Sequence, residues 1–198
     1  MPLITCLDLE GVLVPEVWIA FADATGIPEL RRTTRDEPDY DKLMRGRLAI
    51  LDERGFKLKD IQAVIATLCP LDGALDFLET LRSRTQVIIL SDTFYQFAEP
   101  LMRQLQWPTL FCNELVVEPS GRVAGYRLRI PDGKKRAVAA LKNLAFSVHA
   151  AGDSYNDTTM LAEADRGVLF RCPDKVADEF PQFRRTREYA ELLAALLD

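Results

Sequence analysis

Two pairs of acidic residues stand where the sequence has just completed an apolar run. Leu3–Val14 reads LITCLDLEGVLV, so Asp8 and Glu10 flank one leucine and precede Gly11. Gly152-Asp153-Ser154-Tyr155-Asn156-Asp157 follows the run Phe146–Ala151 and sets two acids four apart in a glycine-led loop. Carboxylates at the ends of buried segments are costly unless they bind a cation, pair, or do chemistry. Several oxygen donors together suit a hard divalent cation, and such a cation suits an anionic substrate.

Residues at i and i+2 of a strand share a face, so Asp8 and Glu10 converge on one site if extended geometry continues past the run. Gly11 then permits a sharp turn. The plainer alternative is that the pair caps the next helix. Ser91-Asp92-Thr93, after Val87–Leu90, offers a hydroxyl and turn amides to a phosphate oxygen; Ser-Asp after a strand is also an ordinary helix start. Lys134, in Pro131-Asp132-Gly133-Lys134-Lys135-Arg136, opens a helix carrying Val138, Leu141 and Leu144. A cation in a first turn opposes the helix dipole. Neutralising a phosphoryl group and an attacking carboxylate therefore competes with a plain basic surface. Lys135 is a credible substitute for Lys134, because the sequence does not fix the register of this loop.

Apolar runs at Leu3–Leu7, Gln86–Leu90, Thr109–Cys112, Val148–Ala151 and Gly167–Phe170 must position these groups. Between and after them lie amphipathic stretches near Leu75–Arg84, Pro100–Leu105, Arg136–Leu144, Thr158–Ala164 and Glu188–Leu197. The alternation predicts an α/β fold with a parallel sheet covered on both faces. Ligands of such sheets bind beyond the carboxyl ends of the strands, where both acidic pairs fall. About sixty residues separate the first run from the helix that leads into the second, more than a crossover needs. The excess, Val14 to Pro70, has helical patterns at Glu16–Thr25, Tyr40–Glu53 and Leu58–Leu68, with stop signals at Thr25-Gly26-Ile27-Pro28 and Arg54-Gly55. It predicts a small helical cap, residues 15–70, inserted into a core of residues 1–14 and 71–198. Leu115–Arg129 alternates about Glu118-Pro119-Ser120-Gly121 and predicts a β-hairpin flap.

Composition narrows the function classes. The chain has 198 residues, 48% apolar and 28% charged, enough for one core and a small insert. A net charge of −5 lacks the basic footprint of a nucleic-acid binder. Four cysteines without a CxxC pair do not support a zinc knuckle or thioredoxin-like motif. No cleavable leader or membrane span is apparent, so a reduced, cytoplasmic protein with neither nucleic-acid nor membrane partners is expected. His149 is the only histidine, which leaves catalysis to carboxylates, lysine and hydroxyls. A homodimer is compatible with the sequence.

In their order, the Asp8-Leu9-Glu10 pair, Ser91, the lysine and the Gly-Asp-x-x-x-Asp loop resemble the haloacid dehalogenase superfamily of phosphohydrolases, across essentially the whole chain. The resemblance implies that family's Rossmann-like core with a helical cap and hairpin flap. It also implies Mg²⁺, with Asp8 as nucleophile and Glu10 as general acid and base. Metal ligation would fall to Asp8, Glu10 through its carbonyl, Asp153, and Asp157 directly or at one remove. Ser91 and Lys134 would hold phosphoryl oxygens, with Asp92 and Asn156 lining the site.

Within the superfamily the chain is most similar to the phosphoserine phosphatase branch. Glu16 stands where that branch receives the substrate ammonium, Arg47 where it grips the carboxylate, and Tyr40 where it places a cap aromatic. The segments Asp-Leu-Glu-Gly-Val-Leu-Val-Pro-Glu and Gly-Asp-Ser-Tyr-Asn-Asp-Thr-Thr-Met-Leu resemble its bifunctional type, which passes phosphate from phosphoserine to water or homoserine. Glutamate at position 10 departs from the family's usual aspartate. A phosphatase of another small phosphomonoester, a sugar or nucleotide phosphate, would share the four motifs without needing Glu16 and Arg47.

Overall fold

The computed structural model describes residues 1–34, 36–37 and 39–198. Strands β1 (Leu3–Leu7), β2 (Gln86–Phe94), β3 (Thr109–Val117), β4 (Val123–Arg127), β5 (Ser147–Gly152), β6 (Arg166–Phe170) and β7 (Arg184–Thr186) form a sheet in the order β4-β3-β2-β1-β5-β6-β7. All neighbours are parallel except β3 and β4. The first strand in sequence is therefore central, flanked by β2 and β5. The connections run both ways from it, and a crevice opens at the carboxyl ends of these three strands.

Alternation along the strands builds a core on each face. Val87 and Ile89 of β2, with Val168 and Phe170 of β6, pack with α4 (Ala74–Arg82), α5 (Tyr95–Gln104) and α9 (Tyr189–Leu197). Leu90, Val148, Ala150 and Leu169 face the other way, against α6 (Gly133–Asn143), α7 (Thr158–Glu163) and α8 (Asp174–Glu179). The result is a three-layer α/β/α sandwich.

Between β1 and α4 the described residues add no strand to the sheet. Instead they form α1 (Val17–Thr25), α2 (Tyr40–Arg54) and α3 (Leu58–Ile65), joined by a short 3₁₀ turn at Pro28–Arg31. The stop signals act as read: α1 and α2 end at left-handed Gly26 and Gly55, and the Asp39 side chain caps α2 by accepting from Lys42 N. Phe21, Leu30, Met44, Ile61 and Ile65 join the same core as α4 and α5. Four further hydrogen bonds tie these helices to the rest of the chain. Gln62 Nε2 donates to Gln96 O at 2.8 Å, Tyr126 Oη to Asp41 Oδ1 at 2.7 Å, and Arg122 forks onto Asp52 at 2.6 and 2.9 Å.

The expected hairpin forms around residues 118–122, but it is not a separate insert: its first arm is the outer half of β3. Strand β2 also outruns its apolar stretch, continuing through Ser91-Asp92-Thr93 to Phe94. Leu90 pairs with Phe111 and Phe94 with Asn113, so β2 carries two more residues than β3 over this interval. Such a bulge turns side chains away from regular pleating, and here it faces the crevice.

Candidate active site

Asp8 lies one residue beyond β1, its N–H donating to Ala151 O at 2.9 Å, so the central strand and β5 deliver it to the crevice. Extended geometry does not continue past it. The chain turns at Gly11 (φ +78°), whose N–H donates to Val14 O. A Cβ at Gly11 would lie 2.4 Å from Asp153 Oδ2. Only glycine supplies both the backbone angle and the space that let the two acidic loops meet.

Lys134 is 6% exposed, and its Nζ lies 2.8 Å from both Asp8 Oδ1 and Asp157 Oδ1. Lys135 is exposed, so the loop register turns Lys134 inward. Burial alone would lower the Lys134 pKa, but the carboxylates of Asp157, Asp8 and Asp92 outweigh it and raise it well above the ordinary value. The ammonium is therefore charged. Asp157 is fully buried, and its second oxygen accepts from the Asp153 and Ser154 amides at 3.0 and 3.1 Å. That carboxylate fixes both the glycine-led loop and the lysine.

Asp8, Asp153 and Asp157 present oxygens within 4.8 Å of one another. One ammonium against three buried carboxylates leaves the cluster short of positive charge. Burial first, then Asp157 and Asp153, push the Asp8 carboxyl well above its usual range. An all-oxygen donor set with a deficit of positive charge fits a hard divalent cation.

Glu10 faces the same chamber. Its Oε2 accepts from Val17 N at 2.9 Å, at the start of α1. The capping alternative and the site reading thus both describe this one side chain. Burial, followed by the neighbouring Glu16 carboxylate, pushes Glu10 up to about 7, although the Val17 amide and Thr93 hydroxyl oppose the shift. A carboxyl titrating near neutrality can both give and take a proton.

A chamber of about 90 Å³ is lined by Asp8, Glu10, Glu16, Tyr40, Arg47, Ser91, Asp92, Lys134, Asp153 and Asn156. Trp18, Thr93 and Phe94 are also in the wall. A larger, more apolar cavity of about 560 Å³ adjoins it along Thr34, Tyr40, Ser91, Asp92, Lys134 and Asn156. Two bonds join the segment between β1 and α4 to the rim of the crevice: Tyr40 Oη donates to Asp92 O at 3.1 Å, and Thr34 Oγ1 to Asn156 Oδ1 at 2.9 Å. Arg47 is 8% exposed, and burial lowers its pKa to about 10.

Residues 6–165 match the family of haloacid dehalogenase-like hydrolases. The chain belongs to this family. A phosphoserine phosphatase of Pseudomonas syringae pv. tomato is 62% identical over 189 residues, covering 96% of this chain and 80% of the relative. The phosphoserine phosphatase ThrH of Pseudomonas aeruginosa is also 62% identical over 189 residues, covering 96% and 92%. At 16% identity, the fold matches a solved phospho-aspartyl intermediate analogue of phosphoserine phosphatase, with a TM-score of 0.80 over 98% of each chain.

For this haloacid dehalogenase-like hydrolase, every residue singled out from the sequence except the alternative Lys135 lies in or directly behind one chamber, although Glu16 and Arg47 lie 118 and 87 residues before Lys134. Several wall residues were not singled out, among them Trp18, Thr34, Phe94 and Thr93, whose hydroxyl bonds the Glu10 carboxyl. Thr93 adjoins Ser91-Asp92 and could have been found there. Trp18 reads in sequence as an ordinary apolar helix position.

Proposed function

We propose that this chain is a Mg²⁺-dependent phosphoserine phosphatase that works through an aspartyl phosphate on Asp8. One observation carries the reading: the same chamber is lined by the Asp8–Lys134 pair and by Glu16, just before α1, and Arg47 of α2. The first pair suits a phosphoryl group. The second suits an ammonium and a carboxylate on one small molecule, because a guanidinium chelates a carboxylate through paired N–H donors. The 62% identical relatives named as phosphoserine phosphatases support the same substrate.

In this mechanism residues 15–70 act as a cap that selects the amino acid, and the core performs the transfer. Asp8 attacks phosphorus while Ser91 and Lys134 hold the phosphoryl oxygens, and Lys134 offsets negative charge on both partners. Glu10 protonates the seryl oxygen as it leaves, then takes a proton from the incoming hydroxyl. Asp8, Asp153 and the Glu10 carbonyl would hold Mg²⁺, with both Asp157 oxygens occupied in orienting Lys134 and the loop. When bound, the ion supplies positive charge against the phosphate and the nucleophile. Asp92 and Asn156 shape the entrance. The acceptor is water, with homoserine as a second acceptor on the strength of the bifunctional-type motifs.

An assay with phosphoserine and Mg²⁺, with and without homoserine, tests the reading by following phosphate and phosphohomoserine together. Phosphate release supports the phosphatase, and phosphohomoserine supports the transfer. Release only from a sugar or nucleotide phosphate, unaffected by Arg47→Ala, would overturn the substrate assignment.

A further inference from the structure

We propose that Trp18 is a positioning residue for carboxylate recognition, holding the Arg47 guanidinium by its indole face so that the in-plane N–H donors not engaged by Arg32 O and Met44 Sδ stay available for the substrate. This inference rests on the phosphoserine reading and adds a specificity element to it.

Arg47 is held in an unusual way for a buried guanidinium. Its carbon lies 4.6 Å from the Trp18 ring centroid, over the face. Nη2 donates to Arg32 O at 2.6 Å, and Nη1 lies 3.6 Å from Met44 Sδ, a weak acceptor. Among the described residues, the buried Nε has no hydrogen-bond partner. None of these described partners is a carboxylate. A carboxylate would have satisfied the fork and competed with a substrate carboxylate for the same donors. An aromatic face attracts the cation through its quadrupole instead. It leaves untouched the N–H groups, which point outward in the guanidinium plane.

The indole itself is immobilised. Trp18 is buried, packs edge-to-face on Phe97 at 5.6 Å and on Phe21 at 6.4 Å, and shares the chamber wall with Glu10, Glu16 and Arg47. Phe97 in turn packs edge-to-face on Phe94, another wall residue at the end of the β2 bulge. The stack thus connects the carboxylate-binding arginine in α2 to the core strand that supplies Ser91. An unsatisfied buried donor is costly, so a carboxylate entering the chamber that Arg47 lines gains by supplying the guanidinium with an acceptor.

A purely structural tryptophan and a positioning one differ in what substitution changes. Phosphoethanolamine carries the phosphate and ammonium of phosphoserine without the carboxylate. Trp18→Leu is expected to raise KM for phosphoserine about ten-fold, leaving kcat and both constants for phosphoethanolamine within about two-fold. Trp18→Phe, which keeps an aromatic face, is expected to restore most of the loss. Unchanged phosphoserine KM in folded Trp18→Leu, or equal losses on both substrates, would overturn the proposal. If Trp18→Leu does not fold, Trp107→Phe leaves Trp18 as the only tryptophan, and its fluorescence reads the contact directly. L-serine should change it saturably and ethanolamine should not. Phosphoserine turnover without any serine-dependent change would overturn the proposal. A wild-type enzyme inert towards phosphoserine but active on another phosphomonoester would overturn the parent reading, and this one with it.

Discussion

Lys134 Nζ sits midway between two buried carboxylates, 2.8 Å from Asp8 Oδ1 and 2.8 Å from Asp157 Oδ1. The same ammonium therefore completes the structure of the glycine-led loop and stands beside the proposed nucleophile. Removing it leaves buried acids uncompensated. Lys134→Met is expected to reduce kcat/KM by about 10² or more. It should also destabilise the fold by about 3–5 kcal/mol, measured by urea unfolding. Full stability in that variant would contradict the buried bridge.

Gly11 brings the Asp8 loop against Asp153. Gly11→Ala forces either a strained φ or displacement of the Asp153 carboxylate. Expected are a loss of about 1–3 kcal/mol in stability and a weakened Mg²⁺ requirement curve, shifted to higher concentration. Titrating activity against Mg²⁺ in the variant checks this; a wild-type midpoint would contradict it.

Glu10 is retained in the chamber at a cost to the fold. The folded chain holds its proton more tightly than the unfolded chain, because burial and Glu16 raise it to about 7 from an ordinary 4.5. Stability tied to this group is full below about 4.5 and is lost as pH rises through about 7. Glu10→Gln, which cannot ionise, should therefore raise the melting temperature at pH 8 relative to wild type. That gain should shrink towards pH 4.5, while turnover is lost throughout. Thermal melts across this range in Mg²⁺-free buffer give the answer, and a gain independent of pH would remove the argument.

Arg47 and Glu16 divide the substrate's two charged ends in the proposed reading. Arg47→Ala should raise KM for phosphoserine by about 10²-fold, the scale of a lost charge-assisted pair, with a smaller change in kcat. Steady-state kinetics decide it; loss of kcat alone would point to a role in chemistry instead.

Much of the site could be read in the sequence because its acids follow apolar runs, where burial makes charge conspicuous. Asp8, Asp153 and the central strands are legible for that reason. Lys134 could not be told from Lys135 by residue type; only the path of the loop into α6 turns one inward. The outer part of β2 was hidden because Ser91-Asp92-Thr93 reads as a helix start, whereas the bulge against β3 keeps it in the strand. Strand β7 went unseen for a different cause. It is a three-residue sheet edge containing Arg184 and Arg185, and charge is how short edges are kept from pairing further. The segment Asp174–Glu179 is too short for a helical period to stand out. Trp18 shows the limit of pattern reading: its burial is visible in α1, but its arginine partner arrives from another helix.

The most direct test is to quench a reaction of radiolabelled phosphoserine, enzyme and Mg²⁺ in acid and map the label by peptide. The account predicts label on the peptide containing Asp8, released by hydroxylamine as an acyl phosphate, and none in Asp8→Asn. Phosphate release with no label on that peptide, or undiminished turnover by folded Asp8→Asn, would contradict it.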